Sequence, residues 1–196
     1  MARPSNTLQR REEIVDGLLD VMATRGYEGA SVVAIGKAAG LAPGLVHYHF
    51  DTKAEILLAL VERLVRQVRA RYQARPGDRL DAFIDAHLAL GPDADPRAVA
   101  AWSIVGAEAL RQPDVRRLYR AALSSTLKEL RRLVADRLRA EQRSTRNAGR
   151  LAAGIVSAIE GAFRIAAAAP GALPGGYAAP MVRRMAAGLV FAEPRA

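Results

Sequence analysis

The sequence predicts an all-α protein of about nine helices. Three observations carry this expectation. Apolar residues recur at spacings of three and four along most of the 196 residues, as in helices with one buried face. Alanine, leucine and arginine, all strong helix formers, are abundant, and long strand-like alternation is absent. Glycine and proline divide the chain at short intervals: at Gly26, at Gly40, at residues 75–78, at residues 91–96, at Pro113 and at residues 170–176.

The first helix is expected from Thr7 to Thr24, with Ile14, Leu18, Val21 and Met22 on one face. Gly26 ends it and Tyr27 folds back onto a small core. Ser31 then stands as an N-cap, and Val32, Ile35, Ala38 and Ala39 follow at helical spacing. Gly40 suits the left-handed stop of that helix. Pro43 suits the first turn of the next, which is expected to reach Phe50. Gly36 lies inside the second helix, where glycine costs about 1 kcal/mol relative to alanine. It either permits close helix contact or softens the domain.

Helix, glycine-containing turn, helix is the outline of a helix-turn-helix, whose second helix can enter the DNA major groove. Thr52 to Glu55 spells a capping box and starts a long helix to Ala74, with Leu57, Val61, Leu64 and Val68 facing inward. Further helices are expected at 79–90, 97–111, 113–142, 145–169 and 177–191. Leu118, Leu127, Leu130, Val134 and Leu138 mark the long one. Leu151, Ile155, Ile159 and Phe163 mark the next, which is rich in small residues. Val182, Met185, Ala186 and Leu189 mark the last. The expected domains are a helix-turn-helix domain at 7–53 (motif 31–50), a linking helix at 54–74 and a C-terminal body at 78–193.

The run from Ile14 to Leu64 resembles the N-terminal domain of the TetR family of repressors without a gap. Gly26-Tyr27, Ser31, Ile35, Ala39-Gly40, Gly44, the cluster His47-Tyr48-His49-Phe50 and Lys53 carry the resemblance. Residues 101–120, AWSIVGAEALRQPDVRRLYR, resemble the body of the branch that includes the choline-responsive betaine repressor. The resemblance implies double-stranded DNA with a palindromic operator as partner, a small-molecule effector, and a homodimer formed by the last two helices. It implies DNA contacts by Ser31, Val32, Ala42, Pro43, Gly44, His47, Tyr48, His49 and Lys53. It also implies an effector pocket among the body helices, for which Phe83, His87, Trp102, Glu108, Tyr119, Phe163 and Arg164 are the candidates. Three positions depart from the family pattern, the first being Gly36, where alanine is more usual. His47 replaces the usual tyrosine and Ala42 the usual serine or threonine, so few side chains can grip a base in two places and specificity is expected to be partly indirect.

Residues 1–6 are expected to be a mobile arm; Arg3 is able to reach a phosphate or the minor groove, but a disordered start is the favoured expectation. The net charge of +9 does not by itself support DNA binding, because residues 1–53 hold six basic and six acidic residues. Cysteine is absent, which excludes disulfides and thiolate metal sites. His47 and His49 point about 200° apart on a helix and cannot share a metal; no metal or cofactor is expected. No phosphate-binding loop or nucleophile elbow occurs, so no enzyme is expected. No apolar run is expected to reach the roughly 18 residues of a membrane span, and the N-terminus lacks the apolar core of a secretory signal. A cytoplasmic protein is the expectation. The rival function is a ligand-binding or adaptor protein of the same fold that does not bind DNA sequence-specifically.

Overall fold

The structure, a computed structural model, describes residues 6–90 and 95–196. The arm with Arg3 and most of the 91–96 loop lie outside the described residues. Among the described residues there are nine helices and no strand: α1 (Asn6–Arg25), α2 (Val32–Ala39), α3 (Pro43–His49), α4 (Lys53–Ala74), α5 (Arg79–His87), α6 (Pro96–Glu108), α7 (Pro113–Ala140), α8 (Ala148–Ala168) and α9 (Ala178–Ala192).

These helices pack as two compact units. One holds residues up to Val65 together with Asp95–Tyr119; the other holds Arg66–Ala94 and Arg120–Ala196. This division differs from the boundary drawn at residues 75–78. Helix α6, expected inside the body, lies with the N-terminal helices and packs on α1.

The first unit is built on α1. Ile14, Leu18, Val21 and Met22 are buried as the periodicity requires, and Val15, Leu19, Tyr27, Ile35, Val46, Phe50 and Ile56 join them. Gly17 lies where α1 crosses α2. A Cβ there would stand 2.7 Å from the Ile35 carbonyl oxygen and 3.0 Å from the Ala39 nitrogen. Only a residue without a side chain permits that approach.

The second unit has its own apolar core. It includes Leu80, Phe83 and Ile84 of α5, Leu130, Val134 and Leu138 of α7, Leu151, Ile155 and Ile159 of α8, and Val182, Ala186 and Val190 of α9. One expected stripe is split. Val182 and Ala186 are buried, but Met185 and Leu189 face outward together with Met181. Helix α9 is apolar on two sides, and its core side is 182, 186, 190.

The expectation that no segment could cross a membrane by length also needs correction. Helix α8 has 21 residues and a mean hydropathy of 1.5 over its most apolar 18-residue window, enough by length and composition alone. Its Leu151–Ile155–Ile159 face is buried in the core of the second unit, which accounts for that composition.

Candidate nucleic-acid interface

The turn between α2 and α3 is fixed by local chemistry. The Ser31 hydroxyl accepts the Ala34 N–H at 3.1 Å and caps α2. Gly40 ends α2 at φ +67°. The Leu41 N–H returns to the Gly36 carbonyl at 2.8 Å and the Gly40 N–H to the Lys37 carbonyl at 3.3 Å, the paired bonds of a Schellman motif. Gly36 is a close-contact glycine. A Cβ there would lie 2.9 Å from the Leu41 oxygen and 3.3 Å from the Val46 methyl carbon Cγ2. Pro43 opens α3 at its first turn, with Ala42 as an N-cap that makes no side-chain bond.

Helix α3 is anchored at Val46 and Phe50, both buried, and is otherwise open. Ala42, Pro43, Gly44, His47 and Tyr48 are exposed. Tyr48 is 79% exposed, its ring edge-on to His49 with centroids 5.1 Å apart. On α2, Val33 and Lys37 are exposed and Val32 is half-buried. This is one face of small, aromatic and imidazole groups on a helix pinned from behind.

Arg11 of α1 does part of the pinning. Its guanidinium donates to the His49 carbonyl at the last turn of α3 and lies 3.9 Å over the Phe50 ring. A cation at a helix C-terminus answers the unpaired carbonyls there. Sequence reasoning did not single out Arg11, because the contact spans 38 positions.

Lys53, one of the expected DNA contacts, also has a partner within the chain. Its Nζ donates to the Tyr27 carbonyl at 3.0 Å and sits 4.1 Å over the Tyr27 ring. This ties the start of α4 to the end of α1 and leaves two ammonium N–H groups for other partners. At the same helix start the Glu55 N–H donates to Thr52 Oγ1 at 3.2 Å, while the Glu55 carboxylate accepts from Asp51 N at 3.1 Å. The returning bond thus reaches one residue before the expected cap.

The acidic residues of α1 have partners inside the same unit. Asp16 accepts Arg63 of α4 at 3.5 Å and lies 3.7 Å from Arg97 of α6. Asp20 holds Arg97 at 2.6 Å. Glu12 lies 3.7 Å from Arg63.

The seven effector-pocket candidates fall into separate groups. In the first unit the Trp102 and Tyr119 rings are in contact at a tilt of 42°, centroids 5.5 Å apart, and Glu108 accepts Gln112 Nε2 at 3.1 Å. In the second unit Phe83 is buried and its ring stacks on His87, centroids 4.0 Å apart. His87 Nδ1–H donates to the Phe83 carbonyl at 2.9 Å. Burial, with Arg71 adding to it, pushes the His87 imidazole down to about 4, against the opposing pull of the Phe83 carbonyl; the ring is neutral near pH 7. Phe163 packs partly on the core and Arg164 is exposed. Among the described residues no group of His, Cys, Asp and Glu could hold a metal ion.

The profile of the bacterial regulatory proteins of the tetR family matches residues 14–60. The profile of the BetI-type transcriptional repressor C-terminal domain matches residues 76–190. The HTH-type transcriptional regulator BetI of Rhizobium meliloti is 32% identical over 115 residues, 56% of each protein. BetI of Vibrio parahaemolyticus is 28% identical over 160 residues, 78% of this chain and 77% of that protein. With the first of these relatives the match spans little more than half of the relative's length. A transcriptional regulator from Rhodococcus sp. Rha1 superposes with a TM-score of 0.79 at 25% identity, covering 95% of this chain and 98% of that one. A regulator from Saccharomonospora viridis, solved in complex with choline, superposes with a TM-score of 0.73 at 20% identity, covering 94% and 97%. The two profiles together span most of the chain, and the fold and the pinned, outward-facing α3 agree with them: the protein belongs to the TetR family of bacterial regulators, with a C-terminal half of BetI type.

Proposed function

We propose that this chain is a cytoplasmic, homodimeric repressor that reads a palindromic operator through α3 of each subunit and releases it when a small-molecule effector binds. The observation that carries the reading is α3 itself. Val46 and Phe50 hold it from behind, Arg11 ties its last turn, and Ala42, Pro43, Gly44, His47 and Tyr48 stand open. Small residues let the backbone approach the bases, and Tyr48 and His47 supply hydrogen-bonding groups.

Dimerisation is supported by the unpartnered side of α8 and α9. Met181, Met185 and Leu189 are exposed at intervals of four on α9. On α8, Ala153, Gly154, Ser157 and Ile165 are exposed, mostly small residues that permit close helix approach. Two such pairs related by a two-fold axis make a four-helix interface. That dimer places two readers on two half-sites.

For the effector, the aromatic pair Trp102–Tyr119 is the first place to look. The rings touch each other at a tilt of 42°, so a cation would lie against an outer aromatic face and not between them, and choline, bound by the Saccharomonospora viridis neighbour, is the first probe. Trp102 is the only tryptophan, so its fluorescence reports the site directly.

The test is selection of bound duplexes from a random pool, followed by fluorescence anisotropy of the winner. A palindromic winner, with its preference over random DNA lost in Tyr48→Ala, supports the regulator. Binding that is weak and blind to sequence would favour the adaptor reading instead. Effector and DNA should weaken each other by the same factor.

A further inference from the structure

The chain's net positive charge does not lie in the unit that holds α3. Residues 1–65 and 95–119 contain 11 Lys and Arg and 11 Asp and Glu; the other residues contain 18 and nine. The second unit therefore carries the whole excess of +9. A field of one sign draws a partner of the other.

That charge has a definite focus on α7. Lys128, Arg132, Ala135 and Arg139 follow at steps of four, three and four, with Arg131 next to Arg132, which puts them along one side of the helix. With Thr145 and Ala148 at the start of α8 they line an open cleft of about 310 Å³, and no carboxylate is among the lining residues. Two neighbouring carboxylates offset part of the charge. Glu129 holds Arg132 at 2.7 Å, and Asp136 holds Arg132 at 3.0 Å and Arg139 at 2.7 Å. Lys128 and Arg131 are exposed and have no acidic partner among the described residues. Arg131 runs past Gly149, where even a Cβ would stand 3.9 Å from its Cδ and Nε.

The chemistry of this cleft selects its partner. It is open and lined mainly by cations, so it does not suit an apolar effector that must be enclosed. It suits an extended polyanion. Lys128 to Arg139 spans about 16 Å along the helix axis, and a DNA strand presents a phosphate every 3.4 Å or so along its own axis. Guanidinium forks and a threonine hydroxyl are common phosphate donors.

We propose that this face of α7 is a second, sequence-independent contact for the phosphate backbone of duplex DNA, made by the C-terminal unit rather than by α3. The choice of DNA among polyanions rests on the regulator reading; the charged surface itself does not.

The experiment uses the full chain and a random-sequence duplex. Affinity is followed by anisotropy through a salt series for the parent, for Lys128→Glu with Arg131→Glu, and for Lys128→Gln with Arg131→Gln. Each phosphate contact contributes about 0.9 to the slope of log K against log salt. The double variants should flatten the slope by roughly 2, while the ratio of operator to random affinity is kept. Tyr48→Ala should do the reverse, losing the ratio and keeping the slope. An unchanged slope in both double variants overturns the proposal. So does an unchanged slope accompanied by lost binding to anionic phosphatidylglycerol vesicles, which would assign the face to a membrane surface. The random-duplex measurement needs no operator, so a failed regulator reading and a failed α7 contact give different results. Both side chains are exposed, and melting curves matching the parent check that the variants fold.

Discussion

Gly17→Ala isolates the close crossing of α1 and α2. Alanine is favoured over glycine inside a helix by about 1 kcal/mol, so propensity alone predicts a gain. Packing predicts the opposite. The new Cβ would meet Ile35 O at 2.7 Å, Ala39 N at 3.0 Å and Ala39 Cβ at 3.1 Å. Two of these are backbone atoms, which cannot swing aside, so α2 must move by several tenths of an ångström. Overpacking of this kind costs about 1–3 kcal/mol, so the net change is a loss of roughly 1 kcal/mol, or about 2–4 °C in Tm for a chain of this size. Gly106→Ala is the control in the same unit. The nearest atoms to its Cβ would be those of the Tyr119 side chain, at ordinary contact distances of 3.7–3.9 Å, so the gain of up to about 1 kcal/mol should survive. Thermal melting at one fixed protein concentration reads both. If Gly17→Ala stabilises as much as Gly106→Ala, the crossing is not as tight as the geometry says and the reasoning fails.

Arg11→Met removes the cation from the His49 carbonyl and the Phe50 ring. The last turn of α3 should loosen by about 1–2 kcal/mol, seen as hydrogen exchange roughly tenfold faster or more at the Val46 and Phe50 amides; unchanged protection would remove Arg11 from the pinning role. Gly154 is exposed on α8 with nothing within 4 Å of its would-be Cβ. In an isolated chain Gly154→Ala should gain about 1 kcal/mol, whereas across a tight dimer it should weaken association in sedimentation equilibrium; a stabilised protein with an unchanged dimer constant counts against that face. His87 gives a pH signature. Its imidazole is held below the ordinary 6.5 at about 4, so the folded state binds fewer protons between those values. Its contribution is complete above about pH 6.5 and falls away as pH drops towards 4, by on the order of 2–3 kcal/mol. Chemical denaturation of His87→Phe across that window should show a flatter pH dependence; an identical slope would refute it.

What the sequence made legible was local. The Ser31 cap, the left-handed Gly40, Pro43 at the first turn of α3 and Thr52 at the start of α4 act within a few residues of themselves, and each stands where the spacing puts it. What stayed hidden was set by partners far along the chain. Gly36 was ambiguous until Leu41 O and Val46 were seen beside it. Gly17 gave no signal, because a glycine that admits another helix looks like any other glycine. On α9 the period alone could not separate 182–186–190 from 181–185–189, since both rows are apolar and only burial distinguishes them. The effector candidates were chosen by residue type. The structure pairs Trp102 with Tyr119 and Phe83 with His87, relations across 17 and four positions of which only the shorter has helical spacing.

The balanced charge of residues 1–53 gives DNA binding no direct support, and ion pairing within the first unit changes the weight of that balance. Glu12, Asp16 and Asp20 lie at intervals of four on α1, so they share one face. That face is turned to Arg63 and Arg97, with Asp16 within 4 Å of both. Three of the six carboxylates are thereby matched to cations on α4 and α6. None of the three is on α2 or α3, where Lys37, His47 and Tyr48 stand exposed. A net charge summed over a segment treats all its groups as if they met the same partner; a phosphate approaching α3 meets that face first, and counterions at 0.15 M screen charges beyond about 8 Å. Local neutrality is therefore compatible with a reading helix. It also predicts a modest salt dependence for the contacts of α2 and α3, which is why a steep slope on random DNA would point to the cations of α7.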